Sequence, residues 1–199
     1  MSTAEFTALL LLCTAASFSP GPNTTLSTTL AANGGFKRSL AFVVAVPVGW
    51  GLLFSLCVFG VGAMVVAVPL LRIAIQVLGI AYLLWLAFKL AQSGSMGEAD
   101  PRRLSITFWQ GVGLQFINIK AWMLALTVLG GWLAGRPDLA ARFAVILPVM
   151  MLFGLLSNLA YALVGSVLRQ WLSQGQRLLW FNRMMAAILA VTAAWMATL

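Results

Sequence analysis

The stretch "FSPGPNTT", residues 18–25, lies inside a run from Phe6 to Phe36 that carries no charged residue. About 20 residues cross the ~30 Å of a bilayer's hydrocarbon, so the run is long enough to span a membrane. Its middle nevertheless holds two residues that cannot donate a backbone hydrogen bond. Pro20 and Pro22 leave the carbonyls of Ala16 and Phe18 without their usual helical partners, and Gly21 removes the side chain between them. In hydrocarbon an unsatisfied carbonyl costs several kcal/mol, so such a break persists only where protein or a wet cavity covers it. Ser17, Ser19, Asn23, Thr24 and Thr25 crowd the same spot with hydroxyls and an amide. The expectation is a discontinuous helix whose second half begins near Asn23, its free amides and positive dipole end facing a lined gap. A proline kink, relieved by hydroxyls bonding back to the previous turn, is the competing reading.

The rest of the chain has the same solvent. Of its 199 residues 62% are hydrophobic and 8% charged, with a mean hydropathy of +1.00, a composition that excludes an ordinary soluble domain. Charge-free runs cover 39–71 and 143–168, and largely apolar segments cover 71–90, 106–133 and 178–199, which makes six predicted spans. Residues 1–5 hold no Lys or Arg and the first apolar run is too long for a signal-peptide core, so it reads as a mature helix. The loops after spans 1, 3 and 5 carry Lys37, Arg38, Lys89, Arg102, Arg103, Arg169, Arg177 and Arg183, against Arg72, Arg136 and Arg142 on the other side. This bias predicts cytoplasmic odd loops and both termini outside, periplasmic for a bacterial inner-membrane protein. The net charge of +8 is thereby read as orientation, with no nucleic-acid partner.

"AQSGSMGEADPRR", starting at Ala91, is the longest polar stretch. It divides a single transporter domain into a first half, 1–90, a cytoplasmic linker, 91–105, and a second half, 106–199. Three spans per half would place two related halves upside down relative to each other. "FVVAVPVG" from Phe42 is echoed by "FAVILPVM" from Phe143, although Pro47 and Pro148 also read simply as kinks in buried helices. The expected fold class is therefore an all-α integral membrane protein, with six transmembrane helices as two inverted three-helix halves and helix 1 broken at the PGP motif.

A second unusual stretch is "QFINIKAW", residues 115–122. Lys120 lies deep in an apolar segment, roughly 20 Å from either end at 1.5 Å per residue, beyond full reach of a lysine stem. Burying a cation there costs at least ~2.5 kcal/mol on insertion scales, which marks Lys120 as functional, with Asn118 beside it. Asn158 in span 5 is a further polar group at similar depth, and interhelical glue is the plain alternative for it.

"SPGPN", then "GGFKRS", "LGIAYLLWLAFK" at residues 78–89, and the Asn118-Ile119-Lys120 tripeptide together resemble the LysE/RhtB family of amino-acid exporters, in order and over essentially the whole chain. "LQFINIK" is similar to the cysteine/O-acetylserine exporter branch; many members have a proline where this chain has Ile119, which leaves a second helix break undecided. The resemblance implies six spans, efflux of small neutral amino acids from the cytoplasm, and coupling to protons. Carried over by position, Pro20, Gly21, Pro22, Asn23, Asn118 and Lys120 match the family's motifs.

An amino-acid zwitterion needs donors for its carboxylate and acceptors for its ammonium. Lys120 and the amides after Pro22 would meet the first. The carbonyls freed by the prolines, Ser19, and the amide oxygens of Asn23, Asn118 or Asn158 would meet the second, with Tyr161 or Trp50 adding a cation–π face. No carboxylate falls within any predicted span and the chain has no His, which disfavours dibasic substrates and leaves Lys120 as the proton-coupling candidate. No metal-ligand cluster, G-x-S-x-G or paired acid supports an enzyme, and no cofactor is called for. The rival class is an intramembrane thiol–disulfide carrier using Cys13 and Cys57, which fall in spans 1 and 2 and adjoin neither a proline nor each other. Membrane lipid is the expected surroundings, and an apolar exterior accommodates a homo-oligomer without requiring one.

Overall fold

In the computed structural model, residues 1–93 and 105–198 are described, and all regular structure among them is helical. Most of the linker expected at 91–105 lies outside the described residues; its first two residues end a helix. Helix α1 (Thr3–Phe18) starts on a reciprocal cap: the Ser2 hydroxyl accepts from the Glu5 amide at 3.2 Å, and the Ser2 amide donates to the Glu5 carboxylate at 2.8 Å. It ends ahead of Pro20 and Pro22. Helix α2 (Pro22–Gly34) begins with Pro22 in its first turn, where a missing N–H costs nothing, one residue before the expected Asn23.

Gly35, at φ 86°, turns the chain into α3 (Phe36–Leu56), which carries Pro47 in its interior. A wide π turn (Cys57–Val61) with Gly60 at φ 108° leads into the short α4 (Gly62–Ala67), and Pro69 opens α5 (Pro69–Gln92). Helix α6 (Phe108–Ile117) has a capping box from Thr107 and Gln110. It stops at Asn118, after which come α7 (Ile119–Val128) and a second π turn (Leu129–Leu133). The last helices are α8 (Leu139–Leu172), about 51 Å long at 1.5 Å per residue, and α9 (Arg177–Met196).

Four helical stretches, Phe36–Ala67, Pro69–Gln92, Leu139–Leu172 and Arg177–Met196, are long and apolar enough to cross a membrane. Two bent pairs reach the same standard when each is counted as one span: α1 with α2, bent by 50°, and α6 with the segment from Ile119 to Leu133, bent by 68°. The protein thus has four to six candidate spans. Its polarity is inverted relative to a water-soluble bundle. Leu11, Phe59, Leu70 and Val167 are at least two-thirds exposed, whereas Ser27, Thr29, Gln115, Asn158 and Asn182 are buried. Apolar atoms outside and hydrogen-bonded polar groups inside are what lipid as solvent selects.

Helix α2 is central and buried on all sides from Thr24 to Ala32, packed mainly against α8 and α3. The seam with α8 is backbone-close: a Cβ on Gly165 would collide with the Thr28 carbonyl. Gly49 lets α3 approach α6 in the same way, a Cβ there meeting Val112 at 2.8 Å. One apolar core gathers Leu9, Cys13, Phe54, Ile146 and Met150, another Leu26, Phe42, Leu83, Leu189 and Met196.

Two polar clusters pin the bundle elsewhere. Arg142, 8% exposed, donates through Nε to Asp138 at 2.7 Å and through both Nη atoms to Glu5 at 3.3 Å, fastening the start of α1 to the start of α8. Asn33 and Asn182 exchange side-chain amide bonds at 2.9 and 3.0 Å, and Asn182 also donates to Ser93. Three cations lie over indoles at the helix ends expected to be cytoplasmic: Lys89 over Trp85 at 5.1 Å, Arg177 over Trp171 at 4.7 Å and Arg183 over Trp180 at 5.4 Å.

Candidate functional site

The two bends meet. From the start of α7, the Lys120 ammonium donates to the Ser19 hydroxyl at 2.7 Å and the Ser19 carbonyl at 3.1 Å, with the Pro20 carbonyl at 3.5 Å. One cation of the second bend thereby ties down the non-helical backbone of the first. Gly21 permits the approach, since a Cβ there would stand 3.2 Å from Lys120 Nζ. Asn118 is the cap of α7: its Oδ1 accepts from the Lys120 amide at 3.2 Å. The helix interruption that the sequence left undecided near Asn118 is therefore present, made by an asparagine cap without proline.

The carbonyls orphaned by the prolines differ from expectation. Ala16 accepts from the Ser19 hydroxyl at 3.1 Å, and Phe18 accepts from the Tyr161 phenol at 2.9 Å. Both are engaged within the protein, so the acceptors turned toward the cation are those of Ser19 and Pro20 instead. Tyr161 enters as a hydrogen-bond donor from α8. Trp50 has one ring face covered by Phe54, their centroids 5.0 Å apart and nearly parallel.

Asn23 and Asn158 are both drawn in, each with a partner that the sequence reading did not assign to the site. Asn23 and Gln115 form a reciprocal amide pair at 2.9 and 3.1 Å, and Ser27 donates to Asn158 at 2.7 Å while Asn158 donates to the Gly154 carbonyl at 2.8 Å. The signal for Ser27 was its place one helical turn after Asn23, and for Gln115 its place one turn before Asn118. Within α2, Thr28 and Thr29 also bond back to the carbonyls of Thr24 and Thr25, so hydroxyl back-bonding accompanies the break.

These groups border a cavity of about 80 Å³ between α1, α2, α3, α7 and α8, with Ser19, Gly21, Asn23, Asn118, Lys120 and Asn158 in its wall. A single water needs roughly 10–15 Å³, so the space has room for several water-sized groups. No carboxylate lines it. Glu5 does fall inside α1, in its first turn, but its charge is spent on Arg142 and Arg136. Lys120 has no ion-pair partner among the described residues, so the cavity carries a cation plus the positive end of α2 and favours an anionic group. Cys13 and Cys57 are free and buried in the apolar core, with Cys13 against Met150. Among the described residues no cluster of His, Cys, Asp or Glu could hold a metal.

Apolar helices in lipid-spanning lengths, folded around a cavity that carries one cation without an ion-pair partner among the described residues, define a multi-pass membrane protein. The chain belongs to the LysE type translocator family, whose model matches residues 14–198. It is similar to the cysteine/O-acetylserine efflux protein of Klebsiella pneumoniae, with 27% identity over 194 residues and 97% of each chain covered. The proteins of the same description from Salmonella typhi (28% over 151 residues, 76% of this chain and 77% of that one) and Escherichia coli (26% over 174 residues, 87% and 88%) are also similar. No solved structure matches.

Proposed function

We propose that the protein is a secondary transporter that exports small neutral amino acids or their derivatives, such as cysteine, O-acetylserine and threonine-like compounds, from the cytoplasm across the bacterial inner membrane. The observation that carries this reading is Lys120, a cation in the cavity wall whose hydrogen-bond partners are all neutral oxygens. A substrate carboxylate offers Lys120 a stronger, charge-assisted partner than Ser19 does, and the released Ser19 and Pro20 carbonyls then face the substrate ammonium. The similarity to cysteine/O-acetylserine efflux proteins supports the substrate class.

Each bent helix pair is on this reading one interrupted span, giving six spans in two inverted halves, 1–90 and 106–199, with both termini periplasmic. Alternating access is then a rocking of the halves about the cavity; Lys120 holds the substrate carboxylate while protonated and, as the proton-coupling candidate, gives up and regains that proton when the carboxylate is absent. The test is efflux of a panel of preloaded amino acids from proteoliposomes with and without a pH gradient. Cysteine- or serine-like substrates moving in a gradient-dependent way, and ceasing to move in Lys120→Ala, is the expected result. Undiminished transport by Lys120→Ala removes the mechanism.

A further inference from the structure

Among the described residues, one buried side-chain polar atom has no hydrogen-bond partner: the indole nitrogen of Trp50. Trp50 is 7% exposed and lines the same cavity as Lys120. Other indoles in the bundle find carbonyls, Trp122 on Phe116 at 2.8 Å and Trp132 on Glu5 at 2.9 Å, so the lapse at Trp50 is not general. The ring cannot swing to find a partner, because it is stacked on Phe54, which is in turn stacked on Phe143 at 5.8 Å. A buried N–H fixed in place without an acceptor is unfavourable unless something brought from outside supplies one.

What would supply it follows from the division of the cavity wall. Lys120 and the start of α2 form its cationic side. Trp50 stands on α3 in an apolar group with Ala121, Leu124 and Met150, the wall suited to a substrate's side chain. The neighbouring amides of Asn23 and Asn158 are already engaged, Asn23 with Gln115 and Asn158 with Ser27 and Gly154, which leaves the indole as a buried donor without a partner in that wall.

We infer that Trp50 is a specificity-determining residue: its N–H donates to an acceptor atom on the substrate side chain, so that the cavity selects amino acids bearing oxygen or sulfur on Cβ over their hydrocarbon isosteres. This rests on the export reading above. An analogue of equal size without the acceptor leaves the indole unpaired in the complex, and discrimination arises from that unpaired group more than from any clash.

The test compares L-serine with L-2-aminobutyrate, in which a methyl replaces the hydroxyl, as transported substrates of the reconstituted full-length protein. Wild type is expected to favour serine in kcat/KM by about tenfold, the worth of one hydrogen bond near 1.4 kcal/mol. Trp50→Phe is expected to lower the serine value by about the same factor and leave 2-aminobutyrate within about twofold, bringing the ratio to one. A wild-type protein that transports both equally overturns the inference and leaves the export reading standing, and that measurement needs no variant to fold. Equal losses for both substrates in Trp50→Phe overturn it too, since they report packing alone. A wild type that moves cysteine but neither of these two amino acids overturns this inference alone, whereas one that moves no member of the panel removes the export reading with it.

Discussion

The two bends, of 50° and 68°, interrupt their helices by opposite means. Between α1 and α2 the helix stops because Pro20 and Pro22 have no N–H to give, and the stranded carbonyls are covered by Ser19 and by Tyr161 from α8. Between α6 and α7 every residue retains its N–H. The interruption there consists of one extended residue, Asn118 at φ −90° and ψ 103°, stabilised by its own side chain on the Lys120 amide and by the Trp122 indole on the Phe116 carbonyl. The first bend is therefore obligatory and the second conditional. A conformational cycle that lengthens or straightens a helix has only the second to work with, and Lys120 sits at its first turn, where such a change would carry the ammonium away from Ser19.

Perturbing each side of this contrast separates the roles. Lys120→Met, which keeps the stem and removes the charge, is expected to lower transport by about a hundredfold, as for loss of a charged hydrogen bond of up to 3 kcal/mol, with the protein still folding. Asn23→Leu strands the Oε1 of the fully buried Gln115, whose amide nitrogen keeps the Gly111 carbonyl, and should cost about 2 kcal/mol in thermal unfolding in detergent. Adding Gln115→Leu should recover more than half of that, and no recovery would mean the pair is not the relevant partner. Asn118→Ala removes the cap of the conditional bend, for about 1 kcal/mol, whereas the obligatory bend has no comparable single side chain. Ile119→Pro should be nearly neutral, within about 0.5 kcal/mol, because the first helical position tolerates proline; a large loss of transport would show that the bend must be able to close.

The smallest effect is expected away from both bends. The Arg142 guanidinium beside Asp138 holds that carboxyl below its ordinary range. A lowered folded-state pKa gives stability that is present above the unfolded value of about 3.9 and is lost as pH falls through the folded value. Unfolding temperature should therefore be flat in this contribution from pH 7 to 5, and Asp138→Asn, at an exposed side chain, should alter it only slightly.

This contrast also explains what was legible. A missing N–H is a local property, so the end of α1 and the start of α2 lie close to where Pro20 and Pro22 put them on inspection. A capping asparagine looks the same in a sequence whether it caps or merely glues, so the second bend stayed undecided. The six apolar runs overlap the helices because lipid-facing surfaces such as Phe59 and Val167 need no periodic polar stripe to identify them. Depth drew attention to Lys120, but its partner could not be read, since Ser19 lies 101 residues away and is reached only through the packing of α7 against the first bend. For the same reason Gln115 and Ser27 went unassigned: each completes an amide or hydroxyl pair whose other member belongs to a different helix. Gly60, unremarkable in a glycine-rich membrane chain, proves to hold a left-handed backbone in the turn between α3 and α4.

The three cation-bearing indoles, Trp85, Trp171 and Trp180, are all more than half exposed and sit at one end of three different helices. Indoles seek the headgroup layer, so together they give the protein a built-in depth gauge. Quenching of their fluorescence by lipids brominated at graded positions along the acyl chain would read the height of that end directly. A bundle moored this way at one rim would have little freedom to bob as a piston, in keeping with the proposed rocking of its halves.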